Sequence, residues 1–243
     1  MPKHCLSFTY ISFFLLSLKP VSAQDSALIP SSSANAIAFY NNYIGENSHL
    51  YNGTEYVAYD FRIKGNQYFL TNILQNGVIN YDEVLYSKVN LAYDIVRDEV
   101  TTNRYSENFR IKLISEKISY FILQNHFFIR LMQDSSNKSI INTGFYDQLY
   151  KGNMTLLAKR QKKVKEKVTA EDGDQLWFEE NDQFILIKNN RYYSVQSKSL
   201  LFDVFKERKK ELKKYLKKNK LKFKKDPENT IIKAVEFCDQ LKK

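Results

Sequence analysis

The residue types that most often carry out catalysis or bind metals are scarce in this chain. It has three histidines and two cysteines among 243 residues. His49 and His126 are far apart in the sequence, and Cys238 lies near the C-terminus. No G-x-S-x-G, H-E-x-x-H, C-x-x-C or glycine-rich phosphate loop occurs. The sequence therefore predicts no cofactor and no transition-metal site.

Pairs of carboxylates are the remaining candidates for catalysis. Asp82/Glu83 and Asp94/Asp98 each bring two acids close together, as glycosidases do around the bond that they cleave. With 27 acidic residues some such pairs arise by chance, and the flanking sequence marks neither pair as catalytic. We therefore predict a protein that is not an enzyme and keep a hydrolase as the third hypothesis.

Clustered positive charge is the clearest chemical signal. The chain has a formal net charge of +10, and residues 206–225 contain twelve Lys/Arg against two acids. Such asymmetry favours an anionic partner, although most charged runs are simply solvated surfaces. The candidate anion-binding residues lie in one predicted helix: Lys209, Lys210, Lys213, Lys214, Lys217 and Lys218.

Two kinds of partner fit these lysines: an anionic membrane surface or an acidic protein. Nucleic acid is not expected. Aromatic residues near lysines can stack on bases, but most of the tyrosines and phenylalanines here alternate in predicted strands, where core packing explains them.

The N-terminus predicts export. Lys3 and His4 precede an apolar run from Cys5 to Leu18, and Val21-Ser22-Ala23 matches a signal peptidase site. We expect residues 1–23 to be a signal peptide and the mature protein to reside in the periplasm or cell envelope. Cleavage removes Cys5, so Cys238 has no partner for an intramolecular disulfide.

The middle of the chain predicts consecutive antiparallel strands. In residues 109–113 every second residue is apolar, which is the period of a half-buried strand. Similar segments recur between Tyr81 and Val168, joined by connectors short enough for hairpins. The predicted fold is mainly β (α+β): an antiparallel meander that forms an open barrel or sandwich. Residues 24–198 form this domain.

Helices are predicted at both ends of the mature chain. Ser31 can cap a short N-terminal helix that reaches Tyr43. Residues 199–243 form a basic helical segment packed on the same domain, with Asp226-Pro227 starting the last helix. Two apolar stripes support this prediction: Leu201, Val204, Phe205, Leu212, Tyr215 and Leu216 in the first part, and Ile231, Val235, Cys238 and Leu241 in the second. The second stripe predicts a buried, structural Cys238.

Two motifs carry a resemblance to a known family. Residues 144–152 read GFYDQLYKG and lead into MTLLAKRQK at residues 154–162. With the LYNG opening at residues 50–53 and the lysine-rich end, they resemble an uncharacterised secreted family of Bacteroidota-type Gram-negative bacteria. The resemblance implies export and a similar fold, and it supplies no catalytic residue.

Three functions remain open from the sequence. The leading hypothesis is a non-enzymatic exported protein that binds a partner or scaffolds a complex. The second is a carrier of lipid or another amphiphile inside an open β-barrel, and the third is the hydrolase. A concave apolar cavity would favour the carrier, and a filled core beside a basic face would favour the binding protein.

Overall fold

The structure is a computed structural model, which describes residues 49–103, 110–135, 140–169 and 173–241. The predicted signal peptide and N-terminal helix lie outside these residues. The described strands are β1 (Thr54–Glu55), β2 (Gln75–Tyr81), β3 (Val84–Asp94), β4 (Glu99–Asn103), β5 (Arg110–Lys112), β6 (Ile118–Leu123), β7 (His126–Leu131), β8 (Gly144–Lys151), β9 (Thr155–Lys159), β10 (Lys162–Thr169), β11 (Gly173–Glu180), β12 (Gln183–Lys188) and β13 (Arg191–Ser194). The helices are α1 (Lys198–Val204), α2 (Lys209–Lys218) and α3 (Pro227–Gln240), with short 3-10 turns at His49–Tyr51, Ser115–Lys117 and Lys206–Arg208.

Eleven of these strands form one antiparallel sheet in the order β1-β5-β4-β3-β2-β6-β7-β8-β9-β12-β13. The sheet does not close into a barrel. β10 and β11 leave it as a two-stranded ribbon between β9 and β12. The predicted mainly β, antiparallel and open architecture with C-terminal helices is therefore confirmed.

Several hairpins have the turn chemistry that their sequences indicate. Gln124-Asn125 joins β6 to β7 and Asn189-Asn190 joins β12 to β13, and all four residues have positive φ. Two-residue loops of this hand match the twist of paired strands, and asparagine tolerates positive φ better than most residues. These connectors make β6–β7 and β12–β13 immediate neighbours.

Two strands do not alternate apolar and polar residues. β4 has one large apolar residue, Val100, and its two threonines are buried. Thr101 and Thr102 donate hydroxyl hydrogen bonds to the carbonyl oxygens of Ala92 and Asn90 in β3, so polar residues fill core positions. β8 contains the GFYDQLYK motif, in which the buried Asp147 interrupts the apolar pattern.

The largest buried cluster covers the half of the sheet around β2, β3, β6 and β7. It includes Tyr93, Phe121, Phe128 and Phe145, whose rings pack edge-to-face or stacked with centroids 4.7–6.0 Å apart. Such contacts add to the free energy gained by burying the rings. The aromatic content of these strands is thus used in the core.

A second cluster joins β9, β12 and β13 to the helices. Leu156 and Leu186 of the sheet pack with Leu201, Leu212 and Val235. Residues of the first apolar stripe are buried here as predicted, but on two helices rather than one. α1 ends at Phe205, whose backbone leaves the helical region (φ −107°, ψ 39°), and a 3-10 turn precedes α2.

Cys238 is buried in this second cluster, with 7 % of its surface exposed, and burial raises the pKa of its thiol to about 11. We expect Cys238→Ala to lose about 1 kcal/mol of unfolding free energy, because a small buried side chain is shortened. Urea denaturation measures this loss. Native Cys238 should react with a thiol reagent only slowly, and labelling as fast as that of the unfolded chain would contradict its burial.

Candidate functional site

A groove lies between the three C-terminal helices. Its inner lobe has a volume of about 540 Å³, and an adjoining outer lobe of about 490 Å³ shares Leu216, Lys217, Leu221 and Lys222 with it. Both volumes are within the range of about 300–1,000 Å³ of typical ligand sites. We call the two lobes together the lysine groove.

The floor of the lysine groove is apolar and its rim is basic. Phe202, Leu216, Leu221 and Phe223 provide the apolar surface. The rim carries seven lysines: Lys198, Lys213, Lys217, Lys220, Lys222, Lys224 and Lys225. No acidic residue lines either lobe in the part of the chain that the structure describes. The groove therefore combines a positive rim with a floor suited to hydrocarbon.

The way α2 ends explains why apolar residues meet here. The amide of Lys220 donates to the carbonyl of Lys217, and the amide of Leu221 donates to that of Leu216. Lys220 has a positive φ of 55°. This is a Schellman motif, which brings the residue after the turn back against the last helical turn. Leu221 and Leu216 consequently lie side by side in the floor.

All six candidate lysines of the sequence analysis are exposed on α2. Within the described residues, none of the six forms an ion pair. The structure places Lys213 and Lys217 on the groove, and the ammonium of Lys213 lies 5.8 Å from the ring of Phe202. Lys209, Lys210, Lys214 and Lys218 do not line either lobe. Sequence reasoning missed the rim lysines of the α2–α3 connector and of α1, because the connector has no helical period to mark its faces.

Helix α3, which forms one wall, is attached to the sheet at both ends. Glu228, in its first turn, pairs with Arg160 at the end of β9. Asp239, in its last turn, accepts hydrogen bonds from the Tyr150 hydroxyl (2.8 Å) and from the Asn153 amide (2.9 Å). These contacts fix the wall of the groove relative to the sheet.

Arg160 is the centre of a buried charge network. Its side chain is 7 % exposed and donates to Asp147, Asp182 and Glu228. Burial disfavours the charged guanidinium. The hydrogen bonds to Glu228 and Asp182 and the negative charge of Asp147 outweigh that penalty, so the pKa of Arg160 is raised. Arg160 is thus held as a cation inside the protein.

Lys159, the preceding residue, is buried and has a separate, half-buried partner. Its ammonium donates to Asp98 (2.7 Å) and to the carbonyl of Phe145 (3.1 Å). Asp98 also accepts from the Tyr93 hydroxyl and the Phe145 amide. Burial lowers the pKa of Lys159, and the neighbouring carboxylate only partly offsets this effect.

These networks account for the two motifs that resemble the secreted family. Gly144 has φ +152°, and a Cβ there would collide with Asp98 and Lys159. In the first motif, Asp147 forms an ion pair with Arg160, and the Tyr150 hydroxyl donates a hydrogen bond to Asp239 of α3. Lys159 and Arg160 belong to the second motif. The motif residues therefore build the support of the helices, and the only signal for this in the sequence is their charge within otherwise apolar strands.

Of the other candidate side chains, only His126 joins the Arg160 network within the described residues, and the carboxylates of the two candidate pairs lie elsewhere. His126 Nδ1 lies 2.7 Å from Asp147 Oδ2, the same oxygen that Arg160 binds. Asp94 accepts from the Tyr56 hydroxyl and two backbone amides. Asp82 pairs with Lys117 at the surface. Among the described residues, no three His, Cys, Asp or Glu side chains are grouped as metal ligands would be.

A membrane-crossing helix is not found either: across residues 49–103, 110–135, 140–169 and 173–241, no helix combines the length and the apolar character that crossing requires. Comparison with known proteins gives no match to a family model, to a curated protein or to a solved structure.

Proposed function

We propose that this is a non-enzymatic exported protein of the periplasm or cell envelope that binds an anionic lipid surface through α2 and the lysine groove. One observation carries the proposal: seven lysines and no acid surround an apolar floor in the described residues. Anionic headgroups attract the rim, and the floor can accept the start of an acyl chain.

The expected strength follows from the number of lysines. A basic residue near an anionic bilayer contributes about 1 kcal/mol. Leu212 and Leu216 are buried in the protein and Tyr215 stacks on Phe237, with ring centroids 4.1 Å apart. The apolar stripe of α2 thus packs in the core except for the small exposed part of Leu216 at the groove, and attraction by this helix is mainly electrostatic. It should weaken as salt shortens the Debye length below about 10 Å.

A carrier of a single anionic amphiphile is the second candidate. The inner lobe, at about 540 Å³, supports it. The sheet is open, so such a ligand would lie among the helices instead of inside a barrel. Organic extraction of the purified mature protein followed by lipid mass spectrometry separates the two functions, because only a carrier retains stoichiometric lipid without a bilayer.

The test is co-sedimentation with vesicles of phosphatidylcholine, with and without phosphatidylglycerol. The helix variant changes Lys209, Lys210, Lys213, Lys214, Lys217 and Lys218 to Gln. We expect wild type to bind only the anionic vesicles, and the helix variant to bind them at least about a hundredfold more weakly, since several lysines each contribute about 1 kcal/mol. Binding by wild type should fall steeply with added salt.

A matched control removes the same charge elsewhere. It changes six other exposed lysines to Gln: Lys64, Lys88, Lys151, Lys163, Lys165 and Lys167. The control should keep most of the binding. Equal losses in both variants would show that net charge alone drives binding. Equal, salt-insensitive sedimentation of wild type and helix variant would contradict the lipid-surface proposal, and an acidic protein partner would then be sought by pull-down from envelope extract.

A further inference from the structure

A second cavity lies at the other end of the molecule. It is an open pocket with a volume of about 450 Å³, lined by the β1–β2 connector, Arg110 of β5 and Phe178 of β11. Its lining combines aromatic and polar side chains. The aromatic ones are Tyr56, Tyr59, Phe61, Tyr68 and Phe178, and the polar ones are Asp60, Asn66, Gln67, Asn72 and Arg110. We call it the aromatic pocket. The lysine groove and the aromatic pocket share no lining residue.

The connector that forms this pocket is held by backbone contacts. The Lys64 amide donates to the Leu176 carbonyl at 2.9 Å, and the Phe178 amide donates to the Lys64 carbonyl at 3.1 Å. The Lys162 ammonium donates to the carbonyls of Asn66 and Tyr68. Because the β10–β11 ribbon fixes the connector, the pocket is formed before any ligand arrives.

Gln67 presents a hydrogen-bond acceptor in this pocket. It is 9 % exposed, and its Nε2 donates to the Tyr56 hydroxyl at 2.8 Å. That hydroxyl donates to Asp94, whose other oxygen accepts from two backbone amides, so the Tyr56 oxygen has to accept from Gln67. The chain fixes the orientation of the amide. Among the described residues its Oε1 has no hydrogen-bond partner, so this oxygen can accept from a ligand.

Hydrogen-bond donors also line the pocket. Asn66 uses its Oδ1 to accept from the Tyr68 amide, which leaves its NH₂ group available. The Arg110 guanidinium lies 4.7 Å from the Tyr68 ring centroid and donates one hydrogen bond to the Asn72 carbonyl, which leaves other N–H groups available. Asp60 is neutralised by Arg62. The pocket therefore offers one oriented acceptor and several donors without a strong negative charge.

Phe61 adds an aromatic surface at the mouth. It is 95 % exposed, so both faces of its ring are open to contact. A ligand that matches the pocket must bring hydroxyl groups able both to donate and to accept, together with a flat C–H face for the ring. We propose that the aromatic pocket binds a neutral oligosaccharide: the Gln67 oxygen accepts from a sugar hydroxyl, Asn66 and Arg110 donate to others, and Phe61 packs on a pyranose face.

The test uses neutral hexasaccharides of glucose, xylose, mannose and N-acetylglucosamine, with titration calorimetry and saturation-transfer NMR on the full mature protein. At least one should bind. Phe61→Ala should weaken that binding about threefold to tenfold, since aromatic packing contributes about 0.5–1.5 kcal/mol. Gln67→Met keeps the side-chain length, removes the acceptor and should have an effect of similar size, as one hydrogen bond of about 1 kcal/mol is lost.

Two controls keep the test decisive. Phe61→Trp retains a flat ring and should retain binding, and Val168→Ala changes a side chain that is 70 % exposed on the ribbon and should have no effect. If Gln67→Met does not fold, Phe61→Ala still carries the test because its side chain is almost fully exposed. No binding by wild type to any of the four sugars, equal binding by wild type and Phe61→Ala, or binding of a blocked dipeptide instead of the sugars would each overturn the proposal.

Discussion

Replacing Arg160 with methionine is expected to lower the unfolding free energy by about 3–5 kcal/mol, which is the usual cost of removing one partner from a buried ion pair. The substitution keeps an unbranched side chain of similar length. Among the described residues, it leaves Asp147, whose side chain is 2 % exposed, with His126 as its one remaining ionisable partner, and it leaves Glu228 without its contact to the sheet. Urea denaturation followed by the fluorescence of Trp177, the single tryptophan, measures the change.

A double variant separates the buried charge from lost packing. Arg160→Met combined with Asp147→Leu removes both buried charges, and we expect it to recover much of the loss, because apolar residues often replace buried ion pairs without cost. Glu228→Gln should cost less than Arg160→Met, since the Glu228 side chain is 33 % exposed. A loss below about 1 kcal/mol for Arg160→Met would show that the network contributes little to stability.

Asp98→Asn is expected to be the second most damaging substitution at neutral pH. It leaves the Lys159 ammonium, with a side chain 7 % exposed, buried without an opposite charge. The expected loss is again about 3–5 kcal/mol. Asparagine suits this position otherwise, because residue 98 has a positive φ of 61° and the amide oxygen can still accept from Tyr93 or Phe145.

This loss should shrink as the pH rises. Burial lowers the pKa of Lys159 below its ordinary 10.5, and removing Asp98 removes the interactions that oppose the decrease. Between the folded pKa and 10.5 the unfolded chain binds more protons than the folded protein, so the unfolding free energy increases with pH. Denaturation curves of Asp98→Asn between about pH 7 and about pH 10 should show this gain relative to wild type. The gain should vanish when Lys159→Met is added, and a deficit independent of pH would contradict the assignment.

The strands with a clear period could be predicted from the sequence, because burial of one face imposes that period directly. The alternation in residues 109–113 predicts a strand there, and these residues contain β5. β4 and β8 could not be recognised, since Thr101, Thr102 and Asp147 occupy buried positions that only their partners make favourable. A pattern based on hydrophobicity has no information about those partners.

In the candidate sites, too, local features could be predicted and contacts between distant residues could not. The lysines of α2 could be located, because a high density of positive charge in a short segment is visible in the sequence itself. The sequence does not reveal that Lys159 and Arg160 are buried. Their partner acids lie at positions 98, 147, 182 and 228, and only the folded sheet brings them close. Likewise, the aromatic pocket depends on a connector docked against a distant ribbon.

The strand order of the sheet bears on how the chain folds. β2–β5 pair in chain order as one meander, and β6–β9 pair in chain order as another. Pairing between neighbours in sequence closes short loops, which costs little entropy and is fast. The two meanders join where β2 pairs with β6, and a Cβ at Gly77 of β2 would lie 2.6 Å from the Ile122 carbonyl oxygen. We expect this joining, rather than the formation of either meander, to limit the folding rate, and a glycine at position 77 allows the two backbones to meet.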